Sequence, residues 1–208
     1  MYDYSSVLQF KLTVVDSSPE IFRRVLVPDF TLESFHYVIS YSFGWLDGFE
    51  HWFSQGELTY GPRDKHAPTY REYEHTVYLT RLFRHPGDDM KYVFRFRDVW
   101  RVDIEFEGDQ GAVPGGRYPC CVDGDVGAPP DGVGGILRYN KAVDAFDTPE
   151  AWGDLLAKLP PLKRLEPRIN PWELDLDRVN HAAAPPIDGS GVVTPRPKAP
   201  AHSPVLAC

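Results

Sequence analysis

Residues Asp88–Gly108, DDMKYVFRFRDVWRVDIEFEG, hold two strand-like runs in tandem, Lys91 to Phe96 and Trp100 to Glu107. In the second run Val102, Ile104 and Phe106 alternate with Arg101, Asp103 and Glu105. A strand sends successive side chains to opposite faces, so this alternation predicts one buried face and one wet face. Asp98 falls between the two runs, where an acidic residue suits a hairpin turn. The two runs are therefore read as strands of a half-buried sheet, with Asp98 as a candidate turn residue between them.

The segments on the N-terminal side extend that sheet. Ser6–Val15, SVLQFKLTVV, is rich in β-branched residues and reads as a strand. Pro19–Pro28, PEIFRRVLVP, is a bounded apolar and basic segment, read as extended. Between Thr31 and Phe43 the residues Leu32, Phe35, Val38, Ile39 and Phe43 recur at helical spacing, with Thr31 as N-cap and Gly44 as stop. A turn and a strand around Glu50 to Thr59 follow, and His75–Phe83, HTVYLTRLF, reads as a further strand or short element.

On the C-terminal side, Tyr118–Gly135, YPCCVDGDVGAPPDGVGG, has no hydrophobic period and is read as a long Gly/Pro loop folded as a flap over the sheet. LRYNKAVDAF and PEAWGDLLAKL read as short amphipathic helices, and NPWELDLDRVNHAA starts with an Asn-Pro pair suited to a helix start. From Ala183 onward the composition is that of a disordered or loosely docked tail. The order of elements predicts an α+β fold: a single domain, residues 1–182, with a mostly antiparallel sheet packed against helices, and a Pro/Ala/Gly-rich tail, residues 183–208. No internal repeat is present.

Bulk properties narrow the function classes. Among 208 residues, 22 are Lys or Arg and 30 are Asp or Glu, a formal charge of −8. Such a chain repels polyphosphates unless a basic face is segregated, which disfavours nucleic-acid binding. The basic clusters, Arg23–Arg24 and Arg95–Arg97–Arg101, lie within strand-like segments. Three cysteines, Cys120, Cys121 and Cys208, are an odd number and argue against a secreted disulfide framework. The N-terminus lacks a basic segment before an apolar run, and no apolar run approaches membrane-spanning length. The expectation is a soluble cytoplasmic protein with no membrane association, its oligomeric state open.

Several phrases, in order from about residue 7 to 181, resemble one known family: PEIFRRVLVP, TLESFHYVI, FGW, EHWF, YVFRFRDVW, GGRYPCCVDG, PPDGVGG and LDLDRVN. Together they are similar to the Ri-plasmid ORF-3-like proteins, a group also described as insertion-sequence passenger or TnpR-like proteins. The resemblance implies a single α+β domain and no defined activity. Against the family's pattern the chain departs at several positions. A His-x-His pair is reduced to Phe49 and His51, a glycine is Arg97, and a histidine is Val102. Cys121 holds the first of two cysteine places, Ala128 the second, and an acidic pair has become Asp131-Gly132. The resemblance thus implies an eroded ligand set, with Cys121 as a remnant. Four ligands for a structural zinc, or three for a catalytic one, are not reached by His51 and Cys121.

The candidate site residues each carry two readings. His51, in FEHWF, either is a core histidine satisfied by a backbone carbonyl or is an acid/base group in an apolar cavity. Asp98 and Trp100 either set the hairpin and fill the core or line a cavity mouth. Cys121 is a packed thiol, or a nucleophile if a base or cation lies close. The 13% aromatic content, including Trp45, Trp52, Phe96, Trp100 and Tyr118, suggests a large core or an aromatic-lined pocket. By elimination, the expected function is a cofactor-independent enzyme for an apolar small-molecule substrate, a cyclase or isomerase of secondary metabolism, including a pericyclic four-plus-two closure. His51, Asp98 and Tyr118 would be catalytic. Trp45, Trp52, Phe96, Trp100 and Cys121 would bind substrate, with no metal and no cofactor. The alternatives are a mobile-element-associated interaction or nucleic-acid-binding module, and a metal-dependent enzyme with a degenerate His/Cys site.

Overall fold

The computed structural model describes residues 6–45, 50–62, 72–130, 132–145, 176 and 179–180. The central prediction holds. β6 (Asp89–Arg95) and β7 (Val99–Gly111) pair antiparallel, with Met90, Tyr92 and Phe94 opposite Ile104, Val102 and Trp100. All six are buried, while Arg101, Asp103 and Glu105 face solvent. The other edge of β7 pairs with β1 (Ser6–Val14), from Ser6 opposite Gly111 to Val14 opposite Val102, with a register shift between Gln9 and Phe10. β1 in turn pairs with β2 (Phe22–Val27).

The remaining strands are β3 (Glu50–Gln55), β4 (Leu58–Gly61), β5 (Glu72–Tyr73) and β8 (Cys120–Asp125). They complete one eight-stranded sheet in the order β5-β4-β3-β6-β7-β1-β2-β8. Every neighbouring pair is antiparallel except β4 with β5. The span predicted as one strand, Glu50 to Thr59, is a hairpin broken at Gly56, whose φ of +56° suits glycine. HTVYLTRLF resolves into the end of a 3-10 turn (Glu74–Thr76) and a short helix, α2 (Leu79–Leu82).

α1 (Leu32–Ser42) lies on the buried face of the sheet. Its start is as the sequence implies: the Thr31 hydroxyl accepts from the Ser34 amide at 3.3 Å. It ends at Phe43 and Gly44, the latter at φ +69°. Phe35 of α1 packs on Phe10 of β1 at 4.9 Å between ring centroids, and stacks on Phe53 of β3 at 6.5 Å. Phe10 also meets Phe83 and Phe106. These contacts join both halves of the sheet to one helix around a single core.

The stretch read as a flap, Tyr118–Gly135, is corrected in part. Its first third is the edge strand β8, paired with β2 across a register shift between Arg24 and Val25. The shift and the Gly/Asp content erase any period in the sequence, so only the long-range pairing reveals the strand. Among the described residues, the outer edge of β8 is met at Cys121 by a side chain. The Cys121 amide donates to Asn180 Oδ1 at 2.6 Å, and Asn180 Nδ2 donates to the Cys121 carbonyl at 2.9 Å. An amide side chain thus takes the place of a ninth strand and covers part of an edge that would otherwise template pairing. Further on, Asp98 Oδ2 accepts from the Gly132 and Gly134 amides at 2.7 and 3.0 Å, tying the stretch to the β6–β7 turn. The chain then enters α3 (Ile136–Ala145), the first of the two predicted C-terminal helices. PEAWGDLLAKL, most of NPWELDLDRVNHAA and the tail 183–208 lie outside the described residues. No helix among the described residues is long and apolar enough to cross a membrane.

Candidate functional site

His51 points inward from β3, as the alternation of FEHWF implies, between the core partners Phe94 and Phe53. His51 Nε2 lies 2.9 Å from Glu74 Oε2, and Glu74 is buried on the 3-10 turn between β5 and α2. A second imidazole, His36 of α1, stacks on His51 with 3.5 Å between centroids and 4° between planes. His36 Nδ1 lies 2.7 Å from the hydroxyl of Tyr92 on β6. Four titratable groups from four elements therefore run in a line, Glu74, His51, His36, Tyr92, all inside the core. His51, at 6% exposure, is the most open of them.

Burial sets the protonation of the inner pair. It drives the His36 pKa well below 6.5, and the neighbouring His51 pushes it the same way, so His36 is neutral at pH 7. Burial raises the Tyr92 pKa well above 10, with the Glu74 charge adding to the effect. Tyr92 thus keeps its proton and can donate it to His36 Nδ1. At the other end, the Glu74 carboxylate accepts from His51 Nε2 and fixes the ring orientation, as a carboxylate does for a general-base histidine. The arrangement offers an oriented acid/base imidazole backed by a neutral one.

The other predicted site residues are dispersed. Trp45 and Trp100 are buried and stack at 5.6 Å and 14°, with Trp45 also stacked on Phe94 at 5.5 Å. The Trp45 indole donates to the Pro129 carbonyl at 3.1 Å. These rings fill the core beside His51. Trp52 sits on the opposite face of β3, half-buried across from Val93. Phe96 is in the β6–β7 turn, with the Arg97 guanidinium over its ring at 5.4 Å. The Tyr118 hydroxyl accepts from the Val113 amide at 2.9 Å and shapes the β7–β8 connection. Asp98 and Trp100 do line a cavity, of about 440 Å³, at the end of β1 and the start of α3.

Cys121 is a buried free thiol in β8, five strands from His51. At the usual strand spacing that is on the order of 20 Å along the sheet. Burial raises its pKa, outweighing the opposite pull of Arg23, which makes it a poor nucleophile. His51 and Cys121 therefore share no site. No group of three His, Cys, Asp or Glu side chains with metal-holding geometry exists among the described residues.

Sequence reasoning missed His36, Glu74 and the role of Tyr92. His36 carried a signal: it falls four residues after Leu32 and three before Ile39, at core spacing on α1. Glu74 carried none, because its burial depends on how the 3-10 turn meets β3.

A second buried polar group lies on the other half of the sheet. Arg23, 1% exposed, occupies a core position of β2 opposite Leu12. Its Nε donates to the Ser42 carbonyl at 3.2 Å, and its Nη1 to the Phe22 and Asp125 carbonyls at 2.7 and 2.9 Å. The last turn of α1 has no basic residue of its own, and Arg23 supplies the cation from outside. Burial pushes its pKa down to about 10, so it stays charged at neutral pH. Arg24 is bound to Glu107 and Asp123, and Arg95 lies 3.5 Å from Glu50. Of the arginines in the two basic clusters, Arg23 thus lies in the core, while Arg24 and Arg95 on the solvent face are paired with acids.

Fold and site define an antiparallel α+β protein with a buried histidine pair. Over residues 6–156 the chain matches the plasmid pRiA4b ORF-3-like proteins, and it belongs to that family. It is 28% identical over 148 residues to the uncharacterized protein y4hQ of Sinorhizobium fredii (strain NBRC 101917 / NGR234), a match covering 70% of this chain and 75% of that protein. Its fold is similar to the crystal structure of MM3350, a protein of unknown function from Methanosarcina mazei Go1. The TM-score is 0.69 at 23% identity, over 85% of this chain and 97% of that one.

Proposed function

We propose that this protein is a cofactor-independent enzyme that transfers a proton on a small, largely apolar molecule, an isomerase with His51 as its acid/base group. The carrying observation is the Glu74–His51–His36–Tyr92 line. Buried ionisable groups are expensive to place in a core, and clusters of them with displaced pKa values concentrate at functional sites. His51 is the member a substrate would touch; Glu74 orients it, and His36 with Tyr92 form its neutral backing. In the reaction, His51 takes a proton from an activated C–H bond and returns it to a neighbouring carbon, so nothing is oxidised or reduced.

Ring closure by shape alone is the weaker branch of the same expectation. Trp45 and Trp100, the rings it would use as pocket walls, are buried against each other and Phe94. The proposal includes action in the cytoplasm on an apolar small molecule, without nucleic acid. The cytoplasm rests on the free thiol of Cys121; Cys120, by contrast, is disulfide-bonded. The test is solvent-deuterium incorporation into a panel of apolar ketones, followed by mass spectrometry. Wild type should label at least one compound, EDTA should change nothing, and His51→Gln should abolish labelling. A panel with no labelling, together with no saturable binding of a hydrophobic probe, would overturn the reading.

A further inference from the structure

The cavity lined by Asp98 and Trp100 lies apart from the histidine line. It is walled by the end of β1, the β6–β7 turn and the first turn of α3. Its volume, about 440 Å³, is within the usual range for small-ligand sites. Two of its four charged residues are already engaged: Asp98 by the Gly132 and Gly134 amides, and Arg97 by the Phe96 ring. The other two, Asp16 and Arg101, have side chains with no hydrogen-bond or ion-pair partner among the described residues, and they do not pair with each other.

Both groups nevertheless stand on fixed backbone. The Val15 amide donates to the Arg101 carbonyl at 2.9 Å. Asn140 of α3 holds the β1–β2 turn at two points, donating to the Asp16 carbonyl at 2.7 Å and accepting from the Ser18 amide at 3.1 Å. One acidic and one basic residue therefore line the same cavity, each on a held stretch of backbone. Apolar residues line it as well. Val99 and Leu137, two of the few large hydrophobic residues exposed among the described residues, both line it, and Leu137 is 73% exposed. Exposed apolar groups in a cavity that also holds charges of both signs suit ligand recognition better than a solvated face.

We propose that this cavity binds a free α-amino acid with an apolar side chain. The ligand carboxylate pairs with Arg101, its ammonium with Asp16, and its side chain covers Val99 and Leu137. The site shares no residue with the histidine line, so the two readings stand or fall separately.

Titration calorimetry on the full chain tests it with three probes: L-leucine, 4-methylpentanoate (the carboxylate without the ammonium) and 3-methylbutylamine (the ammonium without the carboxylate). Leucine should bind with a Kd of about 1 mM or tighter. Each half-molecule should bind roughly tenfold or more weakly, the loss expected for one charged hydrogen bond. Arg101→Gln should weaken leucine and 4-methylpentanoate alike. Asp16→Asn should weaken leucine and 3-methylbutylamine but not 4-methylpentanoate, and Asn tolerates the φ of +62° at that position. His51→Gln should leave all three unchanged. Absence of leucine binding, equal binding of leucine and 4-methylpentanoate, or leucine binding that survives both cavity substitutions would each overturn the proposal.

Discussion

Two polar groups are buried at opposite ends of the same sheet, and they differ in what they touch. Arg23 donates only to backbone carbonyls, those of Phe22, Ser42 and Asp125. Those acceptors are fixed in place and carry no proton to exchange. His51 and His36 instead meet side chains that titrate, Glu74 and Tyr92. Burial alone therefore does not separate scaffold from site. An arginine locked to carbonyls holds the end of a helix; the imidazoles are held instead by a carboxylate and a phenol, groups able to take part in acid/base chemistry.

The sharpest way to break this comparison is Arg23→Met. It leaves three carbonyls without their donor, and the expected loss is about 3–5 kcal/mol by urea unfolding. A loss below about 1 kcal/mol would mean that Arg23 does not hold the β2–β8 end. At the histidine end the balance should reverse. Glu74→Gln keeps the shape and one hydrogen bond, so stability should fall by only about 1–2 kcal/mol. Any proton-transfer activity, however, should drop by roughly a hundredfold or more. Equal effects on stability and activity would remove the distinction.

Acid titration probes the same contrast at smaller amplitude. The folded His36 pKa lies below its unfolded value of 6.5, so below that pH the unfolded chain binds a proton that the native state refuses. Stability contributed by neutral His36 is complete above pH 6.5 and is lost as pH falls toward the folded pKa, at up to about 1.4 kcal/mol per pH unit. His36→Gln should flatten that part of the acid limb, while Arg23→Met should leave its slope intact. The smallest effect belongs to the strand edge. Asn180→Ala should lower stability by about 1 kcal/mol and speed hydrogen exchange of the Cys121 amide.

The parts legible in sequence were those with local causes. Thr31 caps α1 because a hydroxyl precedes the first helical turn, and Val102, Ile104 and Phe106 face the core because a strand has period two. His51 was readable as inward-facing for the same reason. Its partner was not. Glu74 is 23 residues away, and Tyr92 is 56 from His36, with nothing local to mark either pairing. β8 was hidden because its pairing with β2 spans about a hundred residues and its short run carries no alternation. The aromatic count was readable, but a count does not distinguish rings that line a space from rings that fill it: Trp100 borders a cavity, while Trp45 fills the core.

β1 carries a consequence for the newborn chain. One of its edges is covered at once by β2, but the other waits for β7, where Ser6 meets Gly111. Ribosomes add about 5–20 residues per second, so that edge stays open for on the order of ten seconds on each polysome. During that interval SVLQFKLTVV is a bare apolar strand, and neighbouring nascent chains offer the same one. Lys11, on its solvent-facing side, is then the chief local deterrent to the wrong match. Translation speed through the segment between β2 and β7 thus becomes a determinant of yield, independent of the stability of the finished fold.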